Sequence, residues 1–143
     1  MPDNRILMAS HASDQAGTSL STTYASLNLG AKPNGAAPTQ AYVAVPENLL
    51  LDHLEVQFTT LSGSPTTATM FLSWDSGGDY AATNEASATI KTGKTTATKG
   101  TATWVLNRIM ARPPGIGAAG TLYVWVKLDA GTASGVVRGY GRA

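Results

Sequence analysis

Short runs of alternating residues limit most strongly what this chain can fold into. In residues 53–60 (HLEVQFTT), Leu54, Val56 and Phe58 occupy every second position, and polar residues lie between them. Successive side chains of a β-strand point to opposite faces, so a period of two predicts a strand with one face on a core. No long stretch of the chain keeps the period of an amphipathic helix. The pattern therefore predicts an all-β protein.

Several such runs follow one another, separated by loops rich in Gly, Pro, Asn and Ser. β-Branched and aromatic residues are frequent in the runs, as is typical of strands in a sandwich or barrel. About eight strands is the number found in a jelly roll, so we predict a jelly-roll-like antiparallel β-sandwich. The predicted strands are residues 22–29, 40–45, 49–60, 67–74, 80–90, 95–107, 121–128 and 135–140.

The first 20 residues differ from the rest of the chain. They are polar and lack a regular period, and Ile6, Leu7 and Met8 form their one short apolar cluster. The whole chain has 143 residues, the size of one ordinary domain. We therefore expect an extended N-terminal arm at residues 1–20, outside the core, followed by a single β-sandwich domain at residues 21–143.

Residues 121–128 (TLYVWVKL) have two apolar faces. One face is aliphatic and predicts a core position, whereas Tyr123, Trp125 and Lys127 lie on the other. Outward Tyr and Trp side chains can stack on a sugar ring, bury against a partner subunit, or pack beneath a loop or the arm. We take these three residues as interface candidates, together with the apolar cluster of the arm: Ile6, Leu7 and Met8.

Residues 115–120 (GIGAAG) match the glycine pattern of a dinucleotide-binding loop. That site requires a strand before the glycines and a helix after them, because the helix N-terminus holds the pyrophosphate. Here Pro113 and Pro114 precede the glycines and a predicted strand follows. The sequence therefore predicts a loop and no cofactor.

Other chemical sites are weakly supported. Asp75 and Asp79 flank a glycine turn and are weak candidates for a calcium site, which normally needs more oxygen ligands. The histidines are His11, in the arm, and His53, on a predicted outward face, and the chain has no cysteine. Without a recognisable nucleophile–base motif, we expect no catalytic residues and no enzymatic activity.

Charge is sparse, at 13% of residues, and unevenly distributed. Up to Ile90, eight acidic residues oppose Arg5 and Lys32, whereas from Lys91 onward eight basic residues oppose Asp129 alone. The basic half could form a face for an acidic partner, or the two halves could interleave in a sandwich. The basic half lacks the dense Lys/Arg clusters with interleaved aromatic residues that are expected of a nucleic-acid groove, so we expect no direct nucleic-acid binding. We also expect no signal peptide and no membrane span.

Two segments carry a family resemblance: residues 68–83 (ATMFLSWDSGGDYAAT) and 120–142 (GTLYVWVKLDAGTASGVVRGYGR). With the polar arm and about eight strands, they resemble the jelly-roll cement, or decoration, proteins of tailed-bacteriophage capsids. The resemblance lies in the general character of the sequence and in the order of its strands, over roughly residues 40–142, and it includes no invariant motif. It implies a homo-oligomer, dimer or trimer, that binds the outer capsid shell and stabilises contacts between major capsid subunits.

The first hypothesis is therefore a structural virion protein, made in the host cytoplasm and located on the outer capsid surface. Binding to a repeated shell multiplies modest contacts through avidity and requires no catalytic residue. The alternative is a carbohydrate-binding β-sandwich module of a phage fibre or bacterial surface protein. The two hypotheses differ in whether Trp125 contacts a protein or a sugar.

Overall fold

The computed structural model describes residues 5–9, 17–33, 43–117 and 122–142, and in these ranges the chain forms strands and no helix. The side chains of residues 5–9 and 33 are outside this description. The strands are β1 (Arg5–Ala9), β2 (Thr18–Leu20), β3 (Ala25–Asn28), β4 (Gly30–Pro33), β5 (Leu49–Ser62), β6 (Thr67–Ser73), β7 (Ala86–Thr89), β8 (Lys91–Thr92), β9 (Gly100–Met110), β10 (Tyr123–Leu128) and β11 (Thr132–Arg142).

The described strands form two antiparallel sheets. The larger has the order β4-β1-β11-β5-β9-β8, with β2 also pairing with β11, and the smaller has the order β3-β10-β6-β7. The chain passes from one sheet to the other between β2 and β3, β3 and β4, β5 and β6, β7 and β8, β9 and β10, and β10 and β11. Two antiparallel sheets joined by repeated crossovers confirm the predicted antiparallel β-sandwich.

The core lies between the sheets and follows the predicted alternation. In β5, Leu54, Val56 and Phe58 are at most 2% exposed. In the smaller sheet, the aliphatic face of β10 packs against β6, where Val124 pairs with Leu72 and both are fully buried. Each sheet thus contributes one apolar face to a shared core, and its other face remains available for contacts outside the sandwich.

Several predicted strand boundaries were wrong. The strand predicted at residues 80–90 is reduced to β7, because the preceding chain forms a turn in which Asp75 Oδ1 accepts a hydrogen bond from the Tyr80 N–H. The strand predicted at residues 95–107 begins only at Gly100. β4 was not predicted. From the strand predicted at residues 40–45, Val43 forms an isolated bridge with Ala31, and residues 40–42 lie outside the described ranges.

Part of the predicted N-terminal arm belongs to the larger sheet. β1 lies between β4 and β11, and β2 pairs with residues 133–135 of β11. The expectation that the arm stays outside the core was wrong for Leu20, which is 2% exposed. Leu20 fits because Gly135 lies beneath it: a Cβ at that position would approach Leu20 Cδ1 to 2.5 Å. Residues 1–4 and 10–16 lie outside the described ranges.

Candidate functional site

The outer face of the smaller sheet carries a cluster of half-buried aromatic residues. Tyr123, Trp125 and Lys127 project from β10 on the face opposite the core, as predicted. Phe71 of β6 pairs with Trp125, and Tyr24 lies just before β3. We call these five residues the aromatic face.

Contacts within the protein hold Trp125 in place. Its indole stacks with the Phe71 ring, with centroids 5.9 Å apart and planes 5° from parallel. Its Nε1 donates a hydrogen bond to Ser73 Oγ at 2.9 Å, and Ser73 Oγ donates to the Asp75 carbonyl oxygen at 2.7 Å. Gly78 lies against the indole edge, since a Cβ there would be 3.0 Å from Trp125 Cε2. The turn at residues 75–79 therefore covers part of Trp125.

Tyr24 connects the other end of the aromatic face. Its ring meets Phe71 edge-on at 5.0 Å, and Lys127 Nζ lies 4.6 Å from the Tyr24 ring centroid, within the range of a cation–π contact. Its hydroxyl donates to Glu85 Oε1 at 2.8 Å. Burial, together with the hydrogen bond to Glu85 and the charge of that carboxylate, raises the pKa of Tyr24 to about 12. The phenol therefore remains a proton donor at neutral pH.

The carboxylate of Asp75 organises the turn that was a weak metal candidate. Its oxygens accept hydrogen bonds from the backbone N–H groups of Gly77, Asp79 and Tyr80, at 2.8 to 3.2 Å. These donors, Tyr80 first, lower the pKa of Asp75. Across the described residues, no group of three or more His, Asp or Glu side chains is placed to hold a metal ion. In this geometry Asp75 has a structural role, since it shapes the loop over Trp125.

The glycine-rich segment at residues 113–117 forms a turn against the same loop. The Ile116 N–H donates to the Pro113 carbonyl at 3.2 Å, and Gly115 has a φ of 78°. Pro114 and Gly115 thus occupy the two central positions of a type II turn. Gly117 packs so tightly that an added Cβ would overlap the carbonyl group of Trp74. Residues 118–120 lie outside the described ranges, and the chain then enters β10.

The outer face of the larger sheet has a different character. His53 stacks on Tyr140, with ring centroids 4.6 Å apart, and Arg138 Nε donates to Gln57 Oε1 at 3.1 Å. On β9, Val105 is 72% exposed and Ile109 is 67% exposed. The sequence alone did not identify Val105 and Ile109 as exposed. Their exposure depends on the position of β9 in the sheet, which is set by strand pairing between distant segments.

The two sets of sequence-predicted interface residues lie on different sheets. β1, which contains Ile6, Leu7 and Met8, is flanked by β4 and β11, and Leu7 is in register with Tyr140. Tyr123, Trp125 and Lys127 belong to the smaller sheet. The structure therefore does not bring them together. It adds Tyr24, Phe71, Ser73 and Glu85 to the β10 set, through contacts between residues far apart in sequence.

The described part of the chain contains no helix with the length and apolar character needed to cross a membrane. Comparison with protein-family models, with curated proteins and with solved structures gives no match for this chain.

Proposed function

We propose that this chain is a structural virion protein that decorates the outer shell of a tailed-bacteriophage capsid and docks there through the aromatic face. The resemblance of residues 68–83 and 120–142 to capsid cement proteins suggests this class of protein, and the β-sandwich fold agrees with it. The choice of docking surface is supported by the aromatic face, a half-buried group on the outside of the smaller sheet that consists of Tyr24, Phe71, Tyr123, Trp125 and Lys127.

The aromatic face suits protein docking because its side chains are already held in place. Aromatic residues are enriched among those that dominate binding energy at interfaces. The Trp125–Ser73 and Tyr24–Glu85 hydrogen bonds fix two of the rings. Binding then loses less side-chain entropy than it would with free rotamers, which favours association. Repeated sites on a capsid multiply a modest affinity further.

The same geometry favours a protein partner over a sugar. A stacking platform needs an open ring face and free polar groups beside it. The Trp125 edge is covered by Gly78, and its Nε1 already donates to Ser73. We therefore do not propose carbohydrate binding, as in a fibre or surface module, as the function. The fluorescence experiment described below would detect it.

The proposal includes a homo-oligomer, supported by the edge strand β9. Among the described residues, β9 has β5 on one side and, on the other, only β8, which pairs with Gly100 and Thr101. No other described strand pairs with the rest of that edge, which includes the exposed Val105 and Ile109. Such an edge is a template for pairing with another strand, and a second copy offers an identical one.

Co-sedimentation with shells tests the proposed function. The full chain is mixed with expanded capsid shells assembled from the major capsid protein encoded in the same phage genome. We expect saturable binding that Tyr123→Ala weakens about tenfold, the loss typical of a contributing interface aromatic. Tyr140→Ala, which removes the same side chain from the larger sheet, is the matched control and should bind like the unmodified chain.

Two results would overturn the proposed function. One is failure of the chain to bind shells. The other is quenching of tryptophan fluorescence by members of a panel of soluble oligosaccharides, with a loss of quenching in Tyr123→Ala, which would assign the aromatic face to carbohydrate. Equal losses of shell binding in Tyr123→Ala and Tyr140→Ala would place the docking surface elsewhere.

A further inference from the structure

A cleft of about 360 Å³ opens at one end of the sandwich, between two turns. One wall is the turn between β5 and β6, with Ser64, Pro65 and Thr66, and the other is the hairpin before β9, with Thr92, Ala97 and Thr98. A backbone hydrogen bond from Leu61 N–H to the Thr98 carbonyl, at 2.8 Å, ties the hairpin to β5. Both walls are thus anchored to the larger sheet.

The hairpin wall carries concentrated positive charge. Every residue from 91 to 99 is exposed, and three of them are lysines: Lys91, Lys94 and Lys99. The Gly93 N–H donates to the Lys99 carbonyl at 2.9 Å, which closes the loop and keeps the lysines on one short hairpin. None of the three ammonium groups forms a salt bridge with a described residue.

One carboxylate lies near the opposite wall. Asp129 accepts hydrogen bonds from the backbone N–H groups of Thr66 and Thr67 and from the Thr66 hydroxyl. Its oxygens are therefore engaged in holding the turn. Lys91 and Lys99 adjoin the lining residues Thr92 and Thr98 in sequence, and Lys94 lies between them on the same exposed hairpin. The hairpin beside the cleft is therefore positively charged and complementary to an anion.

The turn wall has a fixed backbone shape. Gly63 and Ser64 both have positive φ, at 78° and 56°. A Cβ on Gly63 would lie 2.7 Å from the Cα of Gly131, so two glycines pack backbone against backbone. A non-glycine residue in this region is uncommon and costs conformational energy, and such residues cluster at binding sites. Ser64 thus presents its hydroxyl and backbone to the cleft from a defined position.

We propose that this cleft binds an acidic, extended segment of a partner protein. The lysines pair with carboxylates of the segment, and Ser64, Thr92 and Thr98 supply hydroxyl groups for its backbone. A protein segment fits better than nucleic acid, because residues 91–99 contain no aromatic side chain on which a base could stack. The inference deepens the proposed function, on which the choice of a capsid subunit as the source of the segment rests.

Fluorescence anisotropy with a labelled oligoglutamate peptide and the full chain tests the cleft directly. We expect binding at low ionic strength that weakens as salt screens the charges. Lys91→Gln/Lys94→Gln/Lys99→Gln should reduce affinity about tenfold, since an exposed ion pair contributes roughly a factor of two. Lys91→Arg/Lys94→Arg/Lys99→Arg keeps the charge and is the matched control, with affinity close to that of the unmodified chain.

A second variant distinguishes binding in the cleft from simple attraction to the lysine charges. Ala97→Trp fills the cleft from an exposed hairpin position without changing the charge, and we expect it to weaken peptide binding as well. An unchanged affinity in Ala97→Trp would reduce the site to a charged surface and overturn the proposed cleft. Absence of peptide binding, or tighter and equally lysine-dependent binding of a single-stranded oligonucleotide of the same charge, would overturn the choice of partner.

The peptide-binding experiment tests the cleft separately from the shell co-sedimentation experiment, which tests the capsid function. Lysine-dependent peptide binding by a chain that never sediments with shells would support the cleft and reject the capsid function. Shell binding that survives the triple Lys→Gln substitution, without peptide binding, would support the capsid function and reject the cleft.

Discussion

At the scale of single residues, two carboxylates, the half-buried Asp75 and the exposed Asp129, hold loops by accepting backbone hydrogen bonds. Asp75 organises the turn over Trp125, and Asp129 joins the start of β6 to the end of β10. Neither role requires a metal or a catalytic partner. Both depend on the charged form of the carboxylate, which accepts several hydrogen bonds and is stabilised by them.

Asp129 makes a prediction about acid stability. Hydrogen bonds from Thr66, and then from the Thr67 N–H, lower its pKa from 3.8 to about 2. A carboxylate with a depressed folded-state pKa stabilises the protein above its unfolded-state pKa, and this contribution disappears as the pH falls through the folded-state value. Asp129→Asn should therefore lower Tm at neutral pH, with a difference from the unmodified chain that shrinks between about pH 4 and pH 2.

Thermal unfolding followed by circular dichroism across this pH range measures the effect. Asp79→Asn removes a carboxylate from another exposed turn and serves as the control for the change in net charge. A Tm difference for Asp129→Asn that is as large at the acid end of the range as at neutral pH would contradict the assignment.

At the scale of secondary-structure elements, the alternation of apolar and polar residues correctly predicted individual strands and the faces of those strands, because both depend on local sequence. The alternation of Leu54, Val56 and Phe58 identified β5, and that of residues 122–128 identified both faces of β10. Pairing between distant segments was not predictable in the same way. Leu20 is buried because Gly135 makes room for it, and Trp125 is covered because Asp75 shapes a turn that precedes it by fifty residues.

The turn that leads toward β10 allows a matched test of two glycines. Gly115 and Gly117 both have positive φ, but an added Cβ would meet nothing within 4 Å at Gly115 and would overlap the Trp74 carbonyl at Gly117. Gly115→Ala should cost about 1–2 kcal/mol, the strain of the left-handed conformation alone. Gly117→Ala should cost more, because the Trp74 backbone must also move.

Urea unfolding of both variants gives the comparison. Each substitution adds one methyl group to the same loop, so each serves as the other's control for loop composition. Equal losses of free energy, or a larger loss for Gly115→Ala, would show that the Gly117 segment does not pack against Trp74.

At the scale of the whole molecule, one edge of the sandwich stands apart. β3, β4 and β7 are edge strands of four residues each, whereas β9 has eleven residues and carries the exposed Val105 and Ile109. Short edge strands protect a sheet from unwanted pairing, and a long apolar edge invites it. Only 13% of the residues are charged, so few charges oppose association.

Pairing of β9 with the same strand of a second copy closes around a two-fold axis, so we expect a dimer; a trimer would require β9 to pair with a different strand. Sedimentation velocity over a range of concentrations should show the dimer for the unmodified chain and a monomer for Val105→Lys, because a lysine on the edge disfavours strand addition. Val43→Lys is the matched control, since Val43 is 57% exposed and lies beside β4, at the other edge of the larger sheet. A monomeric unmodified chain would remove the support for self-association, and a dimer that persists in Val105→Lys but dissociates in Val43→Lys would move the interface to the β4 edge.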